Sequence, residues 1–340
     1  MKLKKRFTLS LKNNMRFIPD KVYMHMYFKA KLHYEPDFEN PRTFNEKLQW
    51  YKLNYHNPAL TQLADKYEVR SFVEERVGAE YLVPLYGVYG SVDEIDLDKL
   101  PEKFVLKCTH DSQSTFVCTD KSNFDFQDVK KRLDVAIHRN WYWQGREWAY
   151  RDITPRVVAE EYLDEPGRET PTDYKFYCFD GKIALVQTDA DRFTNHDMQY
   201  FSPEWEQCGD INHEMSNHEP TLKPENYDLM LLLSEKLSAG FPHVRVDWYN
   251  ICGKPYFGEM TFYTGGGYDP FYAKEKQPDR LDRELGGLFV LPKNPGTSAS
   301  SSPVATPEKG GVGDGNPNGC VGTVCTDFCE ASKTNFKSSF

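Results

Sequence analysis

One hairpin, Pro242 to Gly267, constrains this chain more than any other stretch. From Val244 to Tyr249 aliphatic or aromatic residues alternate with Arg245, Asp247 and Tyr249, which is the period of a half-buried strand. Arg245 and Asp247 therefore share a face. A turn follows at Cys252, Gly253 and Lys254, and the chain returns through Tyr256, Phe257 and Glu259 to Thr261. A two-residue loop would set Gly258 opposite Asp247, whereas an odd-length loop centred on Gly253 sets Glu259 there and Thr261 opposite Arg245. Two facing carboxylates repel unless something positive lies between them, and such a pair supplies the oxygen ligands that Mg²⁺ takes beside substrate phosphates. Arg245 would then meet a phosphoryl oxygen. The plainer alternative is a two-stranded edge with a salt bridge between Arg245 and Asp247.

Composition limits what can surround this hairpin. With 340 residues, 39% hydrophobic, the chain has material for a substantial core in one large or two ordinary domains. A net charge of -9 argues against a broad nucleic-acid surface, so an anionic ligand needs a local positive site. The longest strictly aliphatic run, Leu229 to Leu233, is too short to span a membrane, and no secretory signal stands near Met1. A cytoplasmic protein is expected. The start, MKLKKRFTLSLKNN, is basic with apolar residues at helical spacing, which suits either a solvated helix or contact with the inner membrane surface. Eight cysteines form no C-x-x-C, so those at 108, 118, 178, 208 and 252 are expected to be buried reduced thiols.

Taken in order, Met15 to about Tyr55 has helical spacing, and Thr43 with Glu46 forms a capping box before a helix. A second helix is predicted from Asp65 to Gly78, and a strand from Tyr81 to Tyr89. Lys103 to Lys107 forms a short strand ending in a lysine, whose ammonium needs an anion if the strand is buried. The polar loop Thr109 to Thr115 and the strand Phe116 to Cys118 complete a hairpin suited to lie over phosphates, with Ser112 and Ser114 as donors. Phe124 to Asn140 is predicted helical, and the aromatic cluster Trp141, Tyr142, Trp143 and Trp148 fits a core or a lid. Arg156 to Leu163 is predicted as a strand that either offers its backbone to an adenine or simply ends in solvated acids.

Asp173 to Phe179 and Lys182 to Val186 flank Asp180-Gly181, a strong hairpin signal. Asp189 and Asp191 beyond it resemble the D-x-D with which glycosyltransferases hold a metal and a nucleotide sugar, a tripeptide that is common by chance. A helix is predicted from Glu225 to Ala239.

Seven segments in this order resemble the TupA-like branch of the ATP-grasp enzymes, found in cell-surface polymer biosynthesis. They are Arg42 to Lys47, Asp65-Lys66, Phe104 to Lys107, Glu160 to Leu163, Asp173 to Lys175, Arg245 to Asp247 and Glu259 to Thr261. The resemblance implies an α+β ATP-grasp fold, two α+β subdomains enclosing MgATP. It further implies that Lys107 contacts the ATP phosphates, that Lys66 opens the nucleotide-binding half, that Glu160, Glu161, Tyr162 and Leu163 border the adenine, and that Asp173 meets the ribose. Lys175 would be a further phosphate or substrate contact. Asp247, Glu259 and Thr261 would bind Mg²⁺, with Arg245 as the phosphate contact in the transition state. Asp111 and Gln113 stand where the family usually has glycine, and Thr261 where it often has asparagine. The implied reaction joins a carboxylate to an amine through an acyl phosphate and releases ADP. The rivals are a metal-dependent glycosyltransferase using Asp189 and Asp191, a nucleotide-binding protein with weakened catalysis, and a kinase that stops after phosphoryl transfer.

The expected division is an N-terminal helical segment over 1–60, a catalytic domain over 61–291 and a low-complexity tail over 292–340. The tail's Gly, Ser, Thr, Pro and Asn predict disorder. Its last part, with Cys320, Cys325 and Cys329, offers a partner-binding or tethered-substrate segment.

Overall fold

A computed structural model describes residues 15–168, 170–190, 196–208 and 220–293. The chain begins with helix α1 (Asp20–Leu32) and helix α2 (Phe44–Asn54). At the start of α2 the capping box forms as expected: Thr43 Oγ1 accepts from the Glu46 amide at 3.1 Å, and Glu46 Oε2 accepts from the Thr43 amide at 3.1 Å. Two short helices follow, α3 (Ala59–Ala64) and α4 (Val69–Arg76).

The next segments build a four-stranded antiparallel sheet. Its strands β1 (Leu85–Tyr89), β2 (Phe104–Cys108), β3 (Thr115–Cys118) and β4 (Val157–Glu161) lie in the order β1-β4-β2-β3. Helix α5 (Phe126–Ile137) and the short α6 (Tyr142–Gly145) stand between β3 and β4. Phe104, Leu106 and Cys108 point to one face and pack with Val129, Leu133 and Ala136 of α5, so Val105 and Lys107 are left on the other. Alternation along one strand thus decides which side carries the lysine.

The second sheet has five antiparallel strands: β5 (Asp173–Phe179), β6 (Lys182–Ala190), β7 (Asp197–Phe201), β8 (Val244–Ile251) and β9 (Lys254–Thr261), in the order β7-β6-β5-β8-β9. Helix α7 (Tyr227–Ser238) precedes β8 and packs Met230, Leu233 and Leu237 into the core beside Phe176, Val246 and Trp248. Trp248 Nε1 donates to Ser234 Oγ of that helix at 2.9 Å, so the buried indole keeps its partner. Helix α8 (Arg280–Leu288) closes the described chain against α2. Lys47 of α2 caps it by donating to the Gly286 and Phe289 carbonyls at 2.7 and 2.8 Å. Phe44, Leu48 and Tyr51 belong to the same core as the large sheet.

Several sequence-derived boundaries move. The strand expected from Tyr81 starts only at Leu85, because Ala79–Tyr81 forms a 3-10 turn. The strand expected to end at Val186 runs to Ala190, and β7 and α8 were not foreseen. Cys108, Cys118 and Cys178 are buried as expected, but Cys208 is half-buried and Cys252 is exposed at the hairpin tip. Among the described residues no helix is long and apolar enough to cross a membrane. The basic start, Asp191 and the cysteines at 320, 325 and 329 lie outside the described residues.

Candidate active site

In an antiparallel sheet, directly paired residues share a face. Gln187 pairs with Lys175, Lys175 with Asp247, and Asp247 with Glu259, so one row of polar side chains crosses four strands. The next row carries Tyr177, Arg245 and Thr261. Arg245 Nε and Nη2 donate to the two oxygens of Asp247 at 2.7 and 2.6 Å, the fork geometry that suits guanidinium and carboxylate. Nη2 also reaches Glu259 Oε1 at 3.3 Å and Thr261 Oγ1 at 3.2 Å, and Thr261 donates to Glu259 at 3.0 Å. Burial disfavours the Arg245 charge most strongly of any one cause, but Asp247, by charge and hydrogen bond, together with Tyr177 and Glu259, outweighs it and raises the guanidinium pKa further. Burial likewise works against the Glu259 carboxylate, yet Lys66 and Arg245, the Thr261 hydroxyl and Lys175 hold it down at about 2.

The expected facing of Asp247 with Glu259 and of Arg245 with Thr261 is present, but the reason differs from an odd-length loop. Ile251 pairs with Lys254, so the loop has two residues, Cys252 (φ 48) and Gly253 (φ 79). The phase instead shifts between Asp247 and Trp248, where Gly258 is the extra residue of a bulge. A Cβ on Gly258 would lie 3.0 Å from the Asp247 carbonyl oxygen, so the bulge suits glycine. Both readings of the hairpin hold in part: the salt bridge exists, and the acids face each other around it.

Lys175 stands between acids. Its Nζ is ion-paired with Asp189 and lies 3.9 Å from Asp173, with all three side chains at most 6% exposed. Asp189 also accepts from Gln187 Nε2 at 3.0 Å and meets His196 Nε2 at 2.7 Å. Asp189 is thus engaged on both oxygens within the sheet.

On the small sheet, Lys107 finds the anion its position requires: Glu160 Oε2 at 2.6 Å, with Arg70 3.9 Å from the other oxygen. Glu161 pairs with Phe104, and its amide donates to the Pro84 carbonyl at 2.9 Å; Tyr162 and Leu163 follow half-buried, with Lys103 5.5 Å above the Tyr162 ring. In the loop between β2 and β3, Asp111 takes over the work of the missing glycines. Its Oδ1 accepts from the amides of Gln113 (3.3 Å) and Ser114 (3.2 Å) and from the Ser114 hydroxyl. Ser114 is therefore buried within the loop, while Ser112 is exposed.

Lys66 joins the two sheets. Asp65 Oδ1 accepts from the amides of Tyr67 and Glu68 at 2.7 and 2.9 Å and so fixes the turn that carries it. The Lys66 amide donates to Thr109 at 3.1 Å, its Nζ donates to the Asp111 carbonyl, and the same Nζ lies 3.8 Å from Glu259. One lysine thereby holds the loop of the small sheet beside the acids of the large one.

Sequence reasoning missed a cavity of about 360 Å³ at the Arg245 end of this face. Phe44, Tyr177, Gln187, Tyr200, Arg245 and Asp269 are among its walls. Gln187 could have been found from its phase, since it alternates with Asp189 on β6; Asp269 lies in a loop that carries no such signal. Among the described residues no cluster of three or more His, Cys, Asp or Glu forms a ready metal site. Asp247, Glu259 and Thr261 supply two carboxylates and a hydroxyl, a set that fits Mg²⁺ when phosphate oxygens and water complete its shell.

The model of the family described as TupA-like ATPgrasp matches residues 46–290, most of the chain. No curated protein matches it. Among solved structures, D-alanine–D-alanine ligase from Bacillus anthracis complexed with ATP is similar at 16% identity and a TM-score of 0.34, covering 60% of this chain and 55% of its own. The ATP-grasp ligase PsnB complexed with minimal precursor, Mg and ADP shows 10% identity and a TM-score of 0.37, with 72% of this chain and 64% of that one covered. D-cycloserine synthetase DcsG shows 15% identity and a TM-score of 0.37, with 68% and 71% covered. This chain thus spans only about half to seven-tenths of those proteins, and likenesses so distant carry no weight beyond the family match.

Proposed function

Because this chain belongs to the TupA-like ATP-grasp family, we propose that it is an ATP-dependent carboxylate–amine ligase serving cell-surface polysaccharide or teichuronopeptide-like polymer assembly. The observation that carries this reading is Lys66, which ties the loop of the small sheet to the Arg245, Asp247 and Glu259 cluster of the large one. ATP would lie between the sheets. Glu160 to Leu163 would border the adenine and Asp173 the ribose, while Lys66, Lys107 and Lys175 would neutralise the phosphates. Asp247, Glu259 and Thr261 would hold Mg²⁺, which draws the phosphate oxygens into line and offsets their charge.

In the first step an oxygen of the substrate carboxylate bonds to the γ-phosphorus and the bond to ADP breaks. The amine nitrogen then bonds to the acyl carbon, the carbon–oxygen bond to phosphate breaks with its electron pair, and the nitrogen loses a proton to solvent. Arg245 is placed to follow the transferring phosphoryl group once nucleotide and metal take over its acidic partners. The glycosyltransferase reading would need Asp189 freed from Lys175, Gln187 and His196, as the ligase reading needs Asp247 and Glu259 freed from Arg245; the family match favours the ligase.

Thermal-shift titration with ATP, ADP and UDP-sugars, with and without Mg²⁺, tests the proposal. MgATP at about a hundred times its dissociation constant should add roughly 2.7 kcal/mol of stability, and Glu259→Ala should abolish the gain. Stabilisation by a UDP-sugar alone would overturn it. Binding of MgATP without ADP release on any carboxylate–amine pair would identify a nucleotide-binding protein that has lost catalysis.

A further inference from the structure

The cavity beside Arg245 has an unequal charge balance. Arg245 is already answered by Asp247 and Glu259, and Tyr177 donates to Gln187 at 2.7 Å, so these walls are largely satisfied. Two lining groups are not. Asp269 is exposed at the mouth, where the Lys31 charge acts on it; its carboxylate makes no hydrogen bond or ion pair among the described residues, and its backbone carbonyl accepts from Asn45 Nδ2 at 3.1 Å. Thr264 Oγ1 is buried without a hydrogen-bond partner. The chain holds both at the cavity through Gly265 (φ 57), Gly266 (φ 63) and Gly267 (φ 67), a backbone conformation that glycine adopts readily. The amide of Gln49 and the ammonium of Lys52 fix that turn from α2: Gln49 Nε2 donates to the Gly267 carbonyl at 2.7 Å, and Lys52 Nζ donates to the Gly145 carbonyl at 3.0 Å and to that of Gly266.

An exposed carboxylate at the mouth and aromatic walls from Phe44, Tyr177, Tyr200 and Phe271 suit a ligand that is cationic, has an apolar face and is compact. A cavity of about 360 Å³ accepts a body the size of one sugar ring. Aromatic rings favour the apolar face of such a ring and attract an ammonium. We infer that this cavity binds the amine substrate, and that this substrate is a primary amine carried on a neutral monosaccharide, its ammonium docked on Asp269. The inference rests on the ligase reading for the fate of the amine, but not for its binding.

The test is direct binding to the full chain by calorimetry, using D-glucosamine, N-acetyl-D-glucosamine and D-glucuronate as probes at neutral pH. D-Glucosamine should bind, and masking its amine as the acetamide should weaken it several-fold, as should Asp269→Asn, since a solvent-exposed charge pair contributes no more than that. Thr264→Val should weaken it less, and the MgATP thermal shift should survive both substitutions. Equal binding of D-glucosamine by Asp269→Asn, preference for D-glucuronate, or no binding of any probe would overturn the inference. Asp269-dependent binding of D-glucosamine in a protein that ignores MgATP would leave the cavity assignment standing and remove the ligase reading instead.

Discussion

The two sheets carry charge in different ways. On the small sheet Glu160 has two cations in reach, Lys107 at 2.6 Å and Arg70 at 3.9 Å, so losing one leaves the other. On the large sheet the charges interlock: Lys175 serves Asp173 and Asp189, and Arg245 serves Asp247 and Glu259. Redundancy makes the small sheet's polar face tolerant. Shared partners make the large sheet's face depend most on Lys175 and Arg245, each of which faces two acids, although Glu259 also has Lys66 at 3.8 Å.

The sharpest way to break that contrast is to delete a lysine from each. Lys175→Met should cost about 3–5 kcal/mol in chemical denaturation, since it takes the ammonium away from two buried carboxylates. Lys107→Met should cost less, about 1–3 kcal/mol, with Arg70 left 3.9 Å from the buried Glu160. Equal losses would end the distinction. A smaller effect is expected where the backbone rather than a charge sets the arrangement. Gly258→Ala places a methyl against the Asp247 carbonyl and should cost about 1–3 kcal/mol, as overpacking does. It should also weaken MgATP binding more than its stability loss alone explains, because the bulge holds Glu259 opposite Asp247.

The smallest effect tests the link between the sheets. Glu259 has a folded pKa of about 2 against an ordinary 4.5, so its contribution to stability is complete above about pH 4.5 and is lost as pH falls toward 2. Removing one of the charges that hold it down, by Lys66→Met, should raise that folded pKa, so that less stability remains to be lost in acid and the loss is over at a higher pH. The variant's deficit should be full near pH 7, where Glu259 is ionised in both states, and should shrink as pH falls toward 2. An unchanged acid limb would show that Lys66 does not act on Glu259.

How much of this was legible in the sequence follows from what each signal encodes. Strand alternation revealed that Arg245 and Asp247 share a face, and the capping box at Thr43 announced α2, because both are local patterns. The bulge at Gly258 was not legible as such: two registers stayed open, each tied to the length of the turn, since one glycine among alternating residues does not say where a register shifts. Asp111 was visible as a departure from the family pattern, yet its Asx-turn shows only when the backbone amides of Gln113 and Ser114 are seen to point at it. Partners distant in sequence, such as Lys66 with Glu259 or Asp269 with the cavity, depend on tertiary placement that no short window contains.

Because the phase of the β8–β9 hairpin is set at Gly258, its tip is insulated from the acids further along the strands. The tip exposes Cys252, and a Cβ on Gly253 would meet nothing within 4 Å. Among the described cysteines, Cys108, Cys118 and Cys178 are buried and Cys208 is half-buried, leaving Cys252 as the accessible thiol of this part of the chain. A fluorophore or a surface tether attached there would sit at the far end of the acid-bearing strands, a handle on the large sheet that leaves their pairing undisturbed.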